Sequence, residues 1–266
     1  MKKLALIILI ILLLSLACYL TEEPRYDTVT IRSNVFEDYN LYFSSNTIVS
    51  DSTVHVLVVT DGDTRTEDVI HYASLYLDNY LIVGIGYPDD NRRVMDFTPC
   101  SDCLHFTESG GADIFISFIL QMVLPRADSV LQYRCGEIPV NTKRTIVGHS
   151  LGGLFSTYML FASINSNPFD CAVALSPALY WDSQNIFFYE NEYARFNDSL
   201  NSFLYMSIGE LETDGMTACV KAMEERLSDR DYGGFNAVFD YFPSQTHMSA
   251  FNAGIVNAMK MIRDSL

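Results

Sequence analysis

The stretch Thr145-Ile146-Val147-Gly148-His149-Ser150-Leu151-Gly152-Gly153 decides how this chain is read. An apolar, β-branched run ends in glycine, a serine follows two residues later, and two more glycines lead into Leu154 to Leu160. This is the G-x-S-x-G nucleophile elbow, a tight strand-to-helix turn that holds a serine in strained backbone geometry with its hydroxyl exposed. Glycine at 148 and 152 answers a steric demand, because strand and helix pack closely around such a turn, and glycine also tolerates positive φ. A glycine-rich turn without chemistry is the plainer alternative. The apolar flanks, Val147 before and Leu154 to Leu160 after, favour a nucleophilic Ser150.

Strands and helices alternate on both sides of this turn. Thr28 to Arg32 and Asn40 to Phe43 alternate in polarity and read as antiparallel edge strands. Val54 to Val59 is an apolar run typical of a strand buried on both faces, and it stops at Asp61-Gly62-Asp63. Ile70, Ala73 and Leu77 give residues 67–77 helical spacing, and Tyr80 to Ile85 is a second buried strand. Residues 86–110 are too long and irregular for a plain connection. Ala112 to Val123 and Arg126 to Tyr133 read as helices interrupted at Pro125. The elbow strand Arg144 to Val147 comes next, then strands Cys171 to Leu175, Phe203 to Ile208 and Asn236 to Tyr241, with helices over 213–227 and 249–262. This order predicts an α/β architecture, a mostly parallel central sheet with helices on both faces.

The N-terminus has a different character. Lys2 and Lys3 precede an uninterrupted apolar run from Leu4 to Leu14, followed by Ser15-Leu16-Ala17-Cys18. A basic start, a short apolar core and a small residue before the cut describe a signal peptide over residues 1–17. The run is shorter than the roughly 20 residues of a spanning helix. Ala17 before Cys18 resembles a bacterial lipobox, which makes Cys18 the lipidation site and residues 18–26 a tether to a domain over 27–266. Ordinary secretion and an uncleaved anchor are the alternatives. The expected location is the bacterial periplasm or cell envelope.

The chain carries a net charge of −16 and is 49% hydrophobic. Removing the two charges of Lys2 and Lys3 with the leader takes −16 to −18. So acidic a protein disfavours nucleic acid as a partner, and its composition is that of a folded domain with a sizeable core. Membrane contact is expected only through the lipid anchor. Besides Cys18, cysteines stand at 100, 103, 135, 171 and 219. Cys100-Ser101-Asp102-Cys103 is a lone C-x-x-C without a second pair, which reads as a local disulfide or packing and not as a metal site. Cys171 lies in an apolar run and reads as core.

A serine hydroxyl needs a base to remove its proton during attack. For a nucleophile elbow the chain order is serine, then acid, then histidine. His247, on Pro243-Ser244-Gln245-Thr246-His247, is the one histidine after the elbow, since His149 lies inside it. His55 and His71 read as ordinary strand and helix residues and His105 as a surface-loop residue. The acid belongs on Gly209-Glu210-Leu211-Glu212-Thr213-Asp214, where Glu212 is preferred and Glu210 is the alternative. Residue parity on an extended loop does not separate the two. Thr213 and Asp214 also suit a helix cap, and a Ser–His dyad without an acid is a further option. Two backbone donors are needed for the tetrahedral oxyanion: the N–H of Leu151, and an amide from Asp61-Gly62-Asp63, where Gly62 permits a turn that aims the Asp63 amide inwards.

With these residues in place, the chain resembles the esterase family of serine α/β-hydrolases that includes enterochelin esterases, feruloyl esterases, S-formylglutathione hydrolase and the mycolyltransferase antigens. The resemblance is closest to the periplasmic siderophore-esterase-like branch. It rests on Val58-Val59-Thr60-Asp61-Gly62-Asp63, Val83-Gly84-Ile85-Gly86-Tyr87-Pro88, Arg92-Arg93 with Asp96-Phe97-Thr98-Pro99, and the elbow. It continues through Ala174-Leu175-Ser176-Pro177-Ala178-Leu179-Tyr180-Trp181 and Ile208-Gly209-Glu210-Leu211-Glu212 to His247. The resemblance implies an α/β-hydrolase fold without a large cap domain or cofactor, acting on esters through an acyl-enzyme. It implies Ser150 as nucleophile, His247 as base, and the Leu151 and Asp63 amides as the oxyanion hole. The sequence departs from the family at Met248, where a small residue commonly follows the histidine, and at Tyr180.

Arg92 and Arg93 either bind an acidic or catecholate substrate or pair with carboxylates of this acidic protein. Tyr87 and Trp181 are further candidate substrate contacts. The aromatic cluster Tyr180, Trp181, Phe187, Phe188, Tyr189, Tyr193 and Phe196 either walls a pocket or packs a helix. The leading expectation is an exported carboxylic-ester hydrolase whose small-molecule substrate is a siderophore or aryl ester, or an acylated carbohydrate. An acyltransferase with the same nucleophile and a non-catalytic binding module on the same fold are the rivals.

Overall fold

The computed structural model describes residues 27–31, 36, 38–46, 48–88, 92–99, 109–163 and 167–266. The expected signal peptide, the expected tether with Cys18, and the Cys100/Cys103 pair lie outside the described residues, as does His105. Eight strands form one sheet in the order β1-β2-β4-β3-β5-β6-β7-β8. β1 (Asp27–Ile31) and β2 (Tyr39–Ser45) run antiparallel at one edge. β3 (Val54–Val59), β4 (Tyr80–Gly86), β5 (Thr142–His149), β6 (Cys171–Leu175), β7 (Phe203–Gly209) and β8 (Asn236–Phe242) are parallel. This is the architecture of an α/β-hydrolase, and among the described residues no large cap interrupts it.

The apolar strands form the middle of the sheet because they can be buried on both faces; every residue of β3 and β4 is buried. Alternation sorts them into two cores. Val56, Val58, Ile146, Ala172, Ala174 and Leu204 face one side, where they meet helices α3 (Ala112–Phe118), α5 (Leu151–Phe161) and α7 (Asp214–Arg230). Leu57, Val59, Val147, Val173 and Tyr205 face the other, against α1 (Gly62–Tyr76) and α8 (Ser249–Ser265). Edge strand β8 has an exposed start, as a strand packed on one flank must.

Two local expectations are corrected. The helices placed on either side of Pro125 form one run: α3 continues through a π-helical turn, Ile119–Val123, into α4 (Leu124–Cys135). The Leu124 N–H reaches back five residues to the Ile119 carbonyl. That wider turn accommodates a ring that would otherwise clash with the preceding carbonyls, so proline is tolerated without a break. Helix α1 begins at Gly62, five residues before the periodicity shows it, because its first turn is polar and faces the site. The described residues also form the short helix α2 (Arg93–Phe97), a four-residue helical turn over Trp181–Gln184, and α6 (Ile186–Ala194). In α6 and around it, Trp181, Phe187, Tyr189 and Tyr193 pack against the core, whereas Tyr180, Phe188 and Phe196 are exposed.

Candidate active site

Ser150 sits where β5 passes into α5, with φ 59° and ψ −117°. A non-glycine residue held there costs about 1–3 kcal/mol. Its surroundings over-determine the conformation. The Ser150 N–H donates to the Leu175 carbonyl at 3.0 Å, and its own carbonyl accepts from Leu154 and Ala178. A Cβ on Gly148 would lie 2.0 Å from the Gly152 carbonyl oxygen, and one on Gly152 would lie 2.3 Å from Thr60 Oγ1. These glycines therefore supply clearance, and the positive φ falls on the serine itself. Leu151 opens α5, so its N–H is among the first-turn donors that a helix leaves without an intrahelical partner.

A cavity of about 310 Å³ opens beside Ser150 and His247, lined also by Asp61, Thr64, Arg65, Arg93, His149 and Met248. Cavities of about 330 and 340 Å³ lie elsewhere, one beneath Phe43 and Tyr133 and one beside α7. Neither joins a nucleophile to a histidine, so the chemistry of the lining, and not the volume, selects the site.

His247 arrives on the turn between β8 and α8, with Nδ1 at 2.7 Å from Glu212 Oε2. The other oxygen of Glu212 accepts from Ser176 Oγ at 2.6 Å and from the Gly209 N–H at 2.8 Å. Burial alone would raise the Glu212 pKa; the hydrogen bonds from His247, Ser176 and Gly209 outweigh it and hold the carboxyl below its usual range. An ionised carboxylate only accepts, so Nδ1 of His247 carries a proton and donates it to Glu212, which turns Nε2 away from the carboxylate. Glu210 points elsewhere. The chain turns between the Gly209 carbonyl and the Glu212 N–H (3.1 Å), which leaves Glu210 exposed and folds Glu212 back inside. Thr213 caps α7 through the Met216 N–H.

The loop after β3 is built differently from the expectation. Its left-handed residue is Asp61, at φ 53°, and not Gly62, whose missing side chain instead gives room to the β4 backbone: a Cβ there would lie 2.6 Å from the Ile85 nitrogen. Asp61 lines the cavity. Asp63 does not; its carboxylate accepts from Tyr42 Oη at 2.5 Å and the Tyr87 N–H at 2.8 Å, which ties it to the β2–β4 edge. Its N–H belongs to the first turn of α1.

Of the four expected substrate contacts, Arg93 alone lines the cavity. It forks onto Asp61, Nε to Oδ1 at 2.8 Å and Nη2 to Oδ2 at 3.0 Å, a pairing that raises its pKa and fixes the loop. Arg92 pairs with Asp96 at 3.8 Å. Tyr87 packs on Tyr39 with ring centroids 5.8 Å apart, and its hydroxyl pKa is pushed up by burial and by Asp96. Trp181 lies half-buried against the core. Sequence reasoning missed Arg65, Asp61 as a lining residue, Ser176 as the support of Glu212, and His149, which was set aside because it lies inside the elbow. Among the described residues no group of three or more His, Cys, Asp or Glu side chains gathers as metal ligands would.

A family model described as a putative esterase matches residues 45–260. The chain belongs to this esterase family. Within it, the chain is 33% identical over 141 residues to the siderophore triacetylfusarinine C esterase of Aspergillus fumigatus, covering 51% of this chain and 44% of that one. It is 29% identical over 199 residues to the ferri-bacillibactin esterase BesA of Bacillus subtilis, covering 68% and 66%. The chain thus spans between about two fifths and two thirds of the length of these curated relatives. The solved structure of the BES protein from Bacillus cereus shares the fold, with a TM-score of 0.75 at 21% identity over 89% of this chain and 95% of that one.

Proposed function

We propose that this member of the esterase family is an exported serine carboxylic-ester hydrolase acting on siderophore or aryl esters. The observation that carries the reading is the pairing of a strained, cavity-lining Ser150 with a cavity-lining His247 whose Nδ1 is held by a buried carboxylate. In this mechanism the His247 Nε2 takes the Ser150 proton as Oγ attacks the ester carbonyl. The Leu151 N–H and an amide of the Asp61–Asp63 turn, Asp63 included, stabilise the developing oxyanion. Collapse passes the proton to the departing alkoxide and leaves an acyl-enzyme, which water, deprotonated by His247, then hydrolyses. Glu212 fixes the imidazole tautomer and stabilises the imidazolium.

The names of the relatives, esterases of triacetylfusarinine C and of ferri-bacillibactin, support a siderophore ester over an acylated carbohydrate. Arg65 and Arg93 in the cavity wall suit a substrate carrying negative charge, although Arg93 is already engaged by Asp61. Lys2, Lys3 and the apolar run to Leu14 support export, and Ala17-Cys18 supports a lipid anchor. The test is turnover of a p-nitrophenyl ester and of a catecholate triester by the protein and by Ser150→Ala. Hydrolysis of both that vanishes in the variant is expected. Ester turnover unchanged by Ser150→Ala would remove the nucleophile, and preference for a feruloyl sugar would redirect the substrate.

A further inference from the structure

His149 lies in the elbow one residue before Ser150, 5% exposed, and makes two directional contacts. Its Nε2 is 3.0 Å from the His247 carbonyl oxygen, and its Nδ1 is 3.3 Å from Arg65 Nη2. A carbonyl only accepts and a guanidinium only donates. The ring must therefore carry its proton on Nε2 and present a lone pair at Nδ1, one neutral tautomer fixed from both ends. The same ring lies 4.6 Å from the His247 ring, centroid to centroid, and meets Phe251 of α8 edge-on at 5.5 Å. The Arg65 guanidinium closes the cluster, 4.3 Å over the Phe251 ring.

Three chain segments meet here: α1 immediately after the Asp61 turn, the elbow, and the turn that delivers the base. The Nε2 bond runs from the nucleophile's own turn to the main chain of the base. It is the one hydrogen bond between those two turns found among the described residues. We propose that His149 is a positioning residue for catalysis, locking the His247 main chain to the Ser150 turn, with Arg65 holding it in the tautomer that can do so. His149 does not touch the reacting atoms. It acts through His247, so the inference rests on the esterase reading above.

The test is steady-state hydrolysis of p-nitrophenyl acetate by the purified protein and by His149→Phe, His149→Gln, Arg65→Leu and the Arg65→Leu/His149→Phe double variant, with Ser150→Ala as the zero. Phenylalanine keeps the ring contacts and loses both hydrogen bonds; glutamine restores a donor near the Nε2 position. His149→Phe is expected to lower kcat about 10- to 100-fold, the scale of a misplaced catalytic group, with KM within about twofold. His149→Gln should recover most of that loss. The double variant should be no worse than His149→Phe, because two residues acting in series do not add.

A His149→Phe protein with wild-type kcat, a loss confined to KM, or a His149→Gln protein as poor as His149→Phe would each overturn the proposal. If near-UV circular dichroism shows that His149→Phe does not fold, Arg65→Leu decides: an unchanged kcat, or a loss confined to KM as a lost substrate contact would give, overturns the proposal, and a reduced kcat with KM within about twofold supports it. Failure of the esterase reading looks different. The wild-type protein would then turn over no more ester than Ser150→Ala, and both proposals would fall.

Discussion

Two glutamates among the described residues have fully buried side chains, and they are surrounded in opposite ways. Glu190 in α6 meets Arg230 at 2.7 Å and Arg226 at 3.1 Å, and also accepts from Tyr232 Oη at 2.8 Å. Among the described residues Glu212 meets no permanent cation: its donors are a hydroxyl, a backbone N–H and one imidazole. In both, burial alone would raise the pKa and the hydrogen bonds more than reverse it. The difference lies in what the partner can become. Arginine cannot give up its charge, so the Glu190 cluster is balanced in one state only and clamps α6 to α7. His247 borders the cavity, and in the mechanism proposed above it takes the Ser150 proton, at which point Glu212 would face a full positive charge.

The sharpest way to break this comparison is to neutralise each carboxylate. Glu212→Gln should lower kcat by about 10³ to 10⁴, through loss of the tautomer and of imidazolium stabilisation, while the protein stays folded. A kcat within threefold of wild type would return the site to a Ser–His dyad. Glu190→Gln should leave kcat unchanged and lower stability instead. Removing one partner of a buried ion pair costs about 3–5 kcal/mol, and the lower end applies because both arginines remain about one-third exposed. Urea unfolding measures the second effect, and a loss below about 1 kcal/mol would make the clamp ornamental.

Ser176 offers a finer cut. Ser176→Ala removes one donor from Glu212, a hydrogen bond to a charged group worth about 1.5–3 kcal/mol. The stability that Glu212 contributes is complete above its unfolded pKa of about 4.3 and is lost as pH falls through its depressed folded value. Without the serine hydroxyl the folded pKa rises towards the unfolded one, so the acid-side loss should start at the same pH, finish at a higher pH and be smaller in total. Acid unfolding curves of the two proteins that superimpose would show that the Ser176 contact carries no weight.

The fold and the site were legible to different depths, for physical reasons. Burial on both faces writes itself into β3 and β4 as unbroken apolar runs, and the elbow glycines are demanded by backbone contacts local in sequence. Glu212 over Glu210 was legible only as a preference. The choice depends on a turn closed by the Glu212 N–H on the Gly209 carbonyl, which residue parity along an extended loop cannot represent. Arg92 and Arg93 kept two readings because the partner carboxylates, Asp96 and Asp61, are supplied by a helical turn and by a loop about thirty residues away. His149 was passed over for a similar reason. Its role lies in a contact with a backbone carbonyl 98 residues away, and no side-chain pattern records that.

The smallest expected effect sets His149 itself against Glu212, a group that burial keeps neutral beside one kept charged. Burial, followed by the Arg65 charge and that of His247, lowers the His149 pKa to about 4, although its bond to the His247 carbonyl and the Glu212 charge pull the other way. A histidine depressed in this way is neutral in the folded protein, whereas the unfolded chain takes up a proton near pH 6.5. Its contribution is therefore complete above about pH 6.5 and is lost as pH falls towards about 4. At pH 5 the loss should be on the order of 1–2 kcal/mol relative to pH 7. His55, also lowered by burial and Lys143, adds the same sign of slope, so the wild-type curve alone does not assign the effect. Phenylalanine at 149 cannot titrate and leaves His55 in place. Urea unfolding at pH 7 and pH 5 should show a drop for wild type that exceeds the drop for His149→Phe by that amount. Equal drops would mean that His149 is solvated enough to take up its proton in the folded state, and the contrast between a neutral clamp and a charged one would then dissolve.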